Sequence, residues 1–498
     1  MASMNNTSKN KMKTTNRSGH AAYVLDDKTK LVTMALTTML GEPKHYGDTT
    51  DDMIQLAESL CERGEGEFVA KLAVWARTKG NLRSVSHALV SVVGYKCYGD
   101  PSESDAYVPT RDAVRRIASM RGDDGTEIEA TYLAMYGKPL NNSVRRGVRD
   151  AQQQMSAFSV AKYQSKGREF KLRDTLRLGH PVPRDAEASE AMGECVAGTL
   201  GMPKGWETEL SERGSTKEVW DELIRENRLG IMAKLRNLRN MIQAGADIDP
   251  VLETFRNEEA VRKSRLLPFR YFSAYQELRK AGLATTKVTQ ALDTAMGLAC
   301  ANVDRLPGRT AVMIDTSGSM GWSVSDRSVS TCRDIAAVLG AMATHISDDA
   351  WVCGFDNYAK VIPMTGTSVL SDMVMVPSDG GATNMGAAFD LLFKSGFDAD
   401  RVVILSDSEV NAVGYNWYGG HYERGTKAIQ SNLDLYRKKV GHDVWCHAID
   451  LQGVSGTSQF IGSKTNVMAG WSEQVLRFIA LAEQGFGGLV DEIESMEL

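Results

Sequence analysis

The period of the apolar residues changes once along this chain, near residue 305, and that change bounds what the chain can fold into. From about Asp51 to Val303 they recur at helical spacing, as in Met53-Ile54-Leu56-Ala57-Leu60 and Phe68-Val69-Leu72-Ala73-Ala76. Breaks at Gly64-Glu65-Gly66, Lys79-Gly80-Asn81 and Gly137-Lys138-Pro139 separate the helices. This is the texture of stacked antiparallel helix pairs of the solenoid kind, although no clean repeat period is visible. Beyond the Leu306-Pro307-Gly308 break, short β-rich runs take over: Arg309 to Ile314, Ala350 to Phe355, Arg401 to Leu405 and Asp443 to Ile449. Helical stretches lie between them, from Ser328 to Ile346, Met385 to Phe393 and Thr426 to Val440. Strand and helix in that alternation predict a doubly wound, mostly parallel sheet covered on both faces, with ligands at the carboxyl ends of the strands.

The fold class expected is therefore multidomain, an all-α helical-repeat body over 20–304 and an α/β domain over 305–498. A length of 498 residues agrees, since it exceeds what one ordinary core serves. Residues 1–19 are polar and weakly basic and lack the apolar core of a secretory signal, and we read them as a disordered tail. No run of eighteen apolar residues offers a membrane span. Seven singly spread cysteines, with no CxxC pair, fit reduced thiols in a cytoplasmic setting and argue against zinc sites and disulfide scaffolds.

Net charge is -5, but the two halves differ in sign. Residues 1–300 hold 44 Lys and Arg against 39 Asp and Glu, whereas the remainder holds 14 against 24. A polyanion is expected to approach the first half, because phosphate neutralisation supplies most non-specific affinity for nucleic acid.

The sharpest local signal closes the first β-rich run, Ala311-Val312-Met313-Ile314-Asp315-Thr316-Ser317-Gly318-Ser319-Met320. A buried strand ends in a carboxylate, and two hydroxyls follow at alternate positions on a glycine-containing turn. Asp315, Ser317 and Ser319 thus offer hard oxygen donors to one point, a set that suits Mg²⁺ better than zinc or copper. The segment resembles the metal-ion-dependent adhesion site of von Willebrand factor A domains. That resemblance implies two further ligands, a threonine in a later loop and an aspartate after a later strand. Thr383, in Asp379-Gly380-Gly381-Ala382-Thr383-Asn384, and Asp407, closing Val402-Val403-Ile404-Leu405-Ser406, occupy those places in order. No nucleophile and base are paired here, and His345, His442 and His447 fall on other segments, so no catalytic residue is assigned and the expected role is docking or structure.

In the first half, the stretch from Lys162 to Pro181 concentrates six Lys and Arg, a histidine and the aromatics Tyr163 and Phe170 against two acids. Cations there can contact phosphates while an unstacked base lies on Tyr163, Phe170 or His180. A solvated helix face is the competing reading. This stretch is similar to the KYxxR…KDxLRLSHPxP segment of the Ro ribonucleoprotein family, whose helical part is the TROVE domain, and suggests a bacterial or phage type of member. Other matching stretches are Leu25-Asp26-Asp27-Lys28-Thr29-Lys30, Gly41-Glu42-Pro43-Lys44-His45-Tyr46-Gly47-Asp48, Leu82-Arg83-Ser84-Val85-Ser86-His87, Leu235-Arg236-Asn237-Leu238-Arg239-Asn240 and Ser264-Arg265-Leu266-Leu267-Pro268-Phe269-Arg270. The likeness runs from about Asp26 onward.

The resemblance implies a HEAT-like ring of helical repeats closed by a Rossmann-like von Willebrand A domain, with a basic central hole. It implies small structured Y-like RNAs on the outer surface and single-stranded 3′ ends of misfolded RNAs in the hole, hence a scaffold in RNA quality control that can tether an exoribonuclease. By motif, Lys162, Lys166, Arg168, Arg177 and His180 fall on the RNA-contacting surface. The spacing from Lys162-Tyr163 to Leu176-Arg177-Leu178-Gly179-His180 is slightly longer than in animal members, so either Lys166 or Arg168 replaces the family's basic residue. Arg83, His87, Arg236 and Arg239 are weaker candidates, since arginines one turn apart more often bridge neighbouring helices. Two other classes compete with an RNA-binding scaffold: a Mg²⁺-dependent protein-binding adaptor, and a metal-dependent nuclease, which two aspartates among hydroxyls serve poorly.

Overall fold

The structure, a computed structural model, describes residues 13–15, 21–24, 26–37, 50–97, 108–164, 169–203, 205–323, 330–378, 380–407, 426–452, 457–458, 464–469, 475–483 and 489–498. The chain forms two compact units. One comprises Asp27–Pro43, Asp48–Thr208 and Val490–Leu498, the other Met1–Asp26, Lys44–Gly47 and Glu209–Leu489. The change from helical to alternating texture lies inside the second of these.

The first unit is all helix among its described residues. Gly66–Thr78 and Arg83–Lys96 pack as a pair, and Thr110–Ala118 packs against Asn142–Gln152. Close approach is set by small residues: a Cβ at Gly147 would stand 2.6 Å from the Arg111 carbonyl oxygen and 2.7 Å from Val114 Cβ. Phe68, Val69, Leu72, Val74 and Trp75 of the first pair are fully enclosed. Hydroxyls that follow them inside are satisfied locally, as Ser86 Oγ donates to the Ala73 carbonyl at 2.8 Å.

The second unit opens its described chain with strands β1 (Lys13–Thr15) and β2 (Ala21–Val24), an antiparallel pair. Residues 13–15 thus form a strand within the segment read from sequence as a tail. Helices from Trp206–Arg213 to Thr286–Ala299 come next. The α/β part contains β3 (Leu306–Asp315), β4 (Ser347–Phe355), β5 (Ala359–Val361), β6 (Arg401–Ser406), β7 (Trp445–Asp450), β8 (Thr457–Ser458) and β9 (Thr465–Ala469). Strand β8 joins β2, and the other six form one sheet in the order β5-β4-β3-β6-β7-β9, parallel except at β5.

Both faces of this sheet are covered, which is why its central strands read as unbroken apolar runs. Ala311, Met313, Val402 and Ile404 face helices Met385–Ser395 and Thr426–Val440 through Phe389, Leu392, Leu433 and Tyr436. On the other face Val312 and Ile314 meet helix Cys332–Ile346 at Gly340, where a Cβ would stand 2.6 Å from Ile314 Cδ1. The Leu306-Pro307-Gly308 break of the sequence is a bulge: register against β4 shifts between Leu306 and Arg309, and Gly308 has a φ of +86°. The chain runs from β3 outward to β4 and then back to β6 on the other side of β3. The crevice between the ends of β3 and β6 is therefore the switch point of the sheet.

Candidate metal centre and cation-bearing helical face

Asp315 ends β3 and Asp407 follows β6, so both aspartates sit at that switch point, each almost wholly buried. Asp315 is held from two directions. The Ser317 amide donates to Oδ1 at 2.8 Å, and Ser406 Oγ donates to Oδ2 at 2.6 Å. Burial, and then the charge of Asp407, push the Asp315 carboxyl up to about 7. Ser317 Oγ lies 3.2 Å from Ser319 Oγ.

The loop carrying Thr383 docks onto this turn through its backbone. The Gly318 amide donates to the Gly381 carbonyl at 3.0 Å, and the Asn384 amide to the Asp356 carbonyl at 2.8 Å. Gly381 has a φ of +143°, and a Cβ there would lie 2.8 Å from Asn357 Nδ2, so only glycine fits. Thr383 is buried beside the start of helix Met385–Ser395, which Asn384 caps by accepting the Ala387 amide at 3.3 Å. Two loop hydroxyls, a third from Thr383 and two carboxylates make a hard-oxygen donor set. Among the described residues no group of three His, Cys, Asp or Glu side chains could hold a metal ion, so any ion here would need hydroxyls and water besides the two carboxylates. A dicarboxylate in which one acid is pushed toward protonation by burial and by the other is what a divalent cation would relieve. One neighbour was not legible: Arg333 Nη2 donates to the carbonyls of Ser317 at 3.2 Å and Thr316 at 3.4 Å, fixing the turn from below.

On the first unit, Lys162 is exposed at the end of helix Ala157–Tyr163, its ammonium 5.7 Å from the Tyr163 ring centroid and 6.0 Å from that of Phe158. Arg121 approaches the Tyr163 ring at 5.5 Å. The ring fits there because position 122 is glycine, where a Cβ would be 2.3 Å from Tyr163 Cδ2. Sequence reasoning missed Arg121 because it lies about forty residues upstream. Arg177, exposed on helix Leu172–Gly179, donates to the Val196 carbonyl at 2.8 Å. His180 ends that helix in the left-handed conformation and is exposed. Val160, Leu172, Leu176 and Met192 share one apolar cluster, so these short helices form a single block carrying Lys162, Arg177 and His180. Lys166 and Arg168 lie outside the described residues.

Arg83 and His87 are inward. Arg83 Nε is 2.6 Å, and His87 Nε2 3.2 Å, from Oδ1 of the fully buried Asp124, whose other oxygen receives Arg77 Nε at 2.9 Å. That is the bridging role. Arg239 meets Glu277 at 3.4 Å on the surface, and Arg236 is exposed.

An all-helical body followed by a doubly wound α/β domain, with an aspartate and serine turn at the switch point, defines a narrow class. A family profile described as the TROVE domain matches residues 197–317. Telomerase protein component 1 of Mus musculus is 40% identical over 84 residues, and that of Rattus norvegicus 42% identical over 82, each match covering 16% of this chain and 3% of the relative. The crystal structure of the Deinococcus radiodurans Ro (RSR) protein superposes with a TM-score of 0.62 at 19% identity, covering 91% of this chain and 100% of that one. Over residues 197–317 the chain is thus similar to the TROVE domain, and its fold is that of the Ro (RSR) protein.

Proposed function

We propose that this chain is an RNA-binding ribonucleoprotein component that captures RNA on its helical body and performs no chemistry on it. The observation that carries this reading is the exposed block of Lys162, Arg177 and His180, with Arg121 and Lys162 flanking Tyr163. Cations there would neutralise phosphates, and Tyr163 and the exposed Phe158 would offer ring faces to unpaired bases. The RNAs are structured small Y-like species and single-stranded 3′ ends of misfolded RNA, and the setting is cytoplasmic RNA quality control. No described helix is long and apolar enough to cross a membrane.

Asp315, Ser317, Ser319, Thr383 and Asp407 would hold Mg²⁺, which supplies an open coordination position for an acidic group of a protein partner such as an exoribonuclease. The buried pair of aspartates supports that role. It also favours a second reading, a Mg²⁺-dependent protein adaptor without RNA. Purification from the native cell followed by sequencing of co-purifying RNA separates them. The scaffold carries structured RNA that Lys162→Ala with Arg177→Ala and His180→Ala loses, whereas equal RNA from both proteins, or none from either, would refute it.

A further inference from the structure

The residues from Val490 to Leu498 belong to the first helical unit, and they carry four acids and no base. Cations from three helices hold them. Lys28 Nζ is 2.7 Å from Glu494 Oε1, and Lys79 Nζ 2.8 Å from Glu492 Oε1. Lys71 Nζ donates to the Glu494 carbonyl at 2.9 Å, and Arg116 donates to the Glu497 carbonyl. Ile493 is fully buried beneath them. Glu65 also pairs with Lys28, and Glu67 with Lys71, each at 2.8 Å. Without the segment, Lys28 and Lys71 would keep one carboxylate each, and Lys79 and Arg116 would lose their contacts with Glu492 and the Glu497 carbonyl.

The segment is an imperfect anion for this surface. Two of its four contacts are neutral carbonyls, set against Lys71 and Arg116, where a phosphate would place a full charge. Glu492 is enclosed, and its Oε2 has no hydrogen-bond partner among the described residues. Burial and then the charge of Glu494 raise the Asp491 carboxyl, so the acids crowd one another. We propose that Lys28, Lys71, Lys79 and Arg116 form a second phosphodiester-binding surface, which the acidic segment Val490–Leu498 covers and an RNA strand displaces. This rests on the reading of the chain as RNA-binding, but the surface is distinct from the block around Lys162.

The test uses the full chain, a fluorescently labelled decauridylate at low salt, and hydrogen exchange over residues 489–498. Glu492→Gln with Glu494→Gln removes the competing charges and should tighten binding on the order of three- to tenfold. Adding Lys28→Ala and Lys79→Ala should erase that gain. In the wild-type chain, the RNA should speed exchange of the segment, a readout that holds even where a variant folds poorly. Wild-type affinity in the glutamine variant, with exchange unchanged on RNA binding, overturns the displaced segment and leaves RNA binding intact. No binding by any of the proteins overturns both readings.

Discussion

Asp315 and Asp407 terminate neighbouring parallel strands, and their carboxylates share one buried crevice with no described basic side chain bonded to Asp315. The charge of Asp407 disfavours ionisation of Asp315, and a cation bound as proposed would relieve that repulsion. Asp407→Asn should therefore raise Tm in EDTA by about 1 °C, the effect of about 1 kcal/mol in a protein of this size. Millimolar Mg²⁺ should raise the wild-type Tm and leave the variant unmoved, since a ligand at a hundred times its Kd stabilises by about 2.7 kcal/mol. Equal Mg²⁺ shifts in the two proteins, measured by differential scanning calorimetry, would remove the metal from this site.

The Lys162 block makes a prediction about salt. If Lys162 and Arg121 contact phosphates, replacing either with alanine should weaken binding for every RNA sequence alike and lower the slope of log K against log salt by about 0.7–0.9 per contact. Tyr163→Ala should weaken binding with little change in slope, because stacking releases no counterions. Titrations at several salt concentrations distinguish these outcomes. An unchanged slope in the lysine and arginine variants would mean that the face carries no phosphate.

What could be read from the chain alone follows from how local each cause is. The sheet was legible because burial on both faces leaves unbroken runs such as Val402 to Leu405, and because a strand ending in Asp315 announces a switch-point site. Helix Thr426–Val440 has the expected bounds, whereas the helix expected from Ser328 starts at Cys332. There Thr331 and Asp334 form a capping box, with the Asp334 amide donating to Thr331 Oγ1 at 3.1 Å, a signal that the apolar period overran. Strand β5, of three residues, is too short to show a period, and β9 is an edge strand without a strongly apolar run. Arg121 against Tyr163, Arg333 under the Ser317 turn and the Asp124 cluster join positions far apart in sequence, and no pattern in one chain encodes such meetings.

The Asp124 cluster stabilises the fold at neutral pH. Burial alone would raise the Asp124 carboxyl, yet hydrogen bonds from His87 and Arg83 and the charge of Arg77 bring it below the usual range. A depressed acid contributes stability above its unfolded pKa of about 3.9 and loses it as pH falls through the lower folded value. Asp124→Ala leaves Arg77 without its buried counter-charge and Arg83 with Asp123 alone, at 2.9 Å, and should cost about 3–5 kcal/mol. Asp112→Ala, at an exposed pair with Arg115, should change stability by less than about 0.5 kcal/mol. Urea titrations at pH 7 measure both, and comparable losses would contradict the role given to Asp124.

Glu129 behaves in the opposite sense. It is fully buried in helix Asp124–Tyr136, and neither carboxylate oxygen has a hydrogen-bond partner among the described residues. Burial pushes its carboxyl up to about 8, with only a small opposing pull from the charge of Arg145. The folded chain therefore keeps this proton where the unfolded chain, titrating near 4.3, has released it. Its contribution is fully present below that unfolded value and is lost as pH rises through the folded one, at up to about 1.4 kcal/mol per pH unit. Glu129→Gln keeps the shape and removes the titration. Wild type and variant should be nearly equally stable at pH 4.5, and the variant should be progressively more stable from pH 5 to 8. Parallel denaturation curves across that range, with no widening gap, would show that Glu129 is solvated or paired.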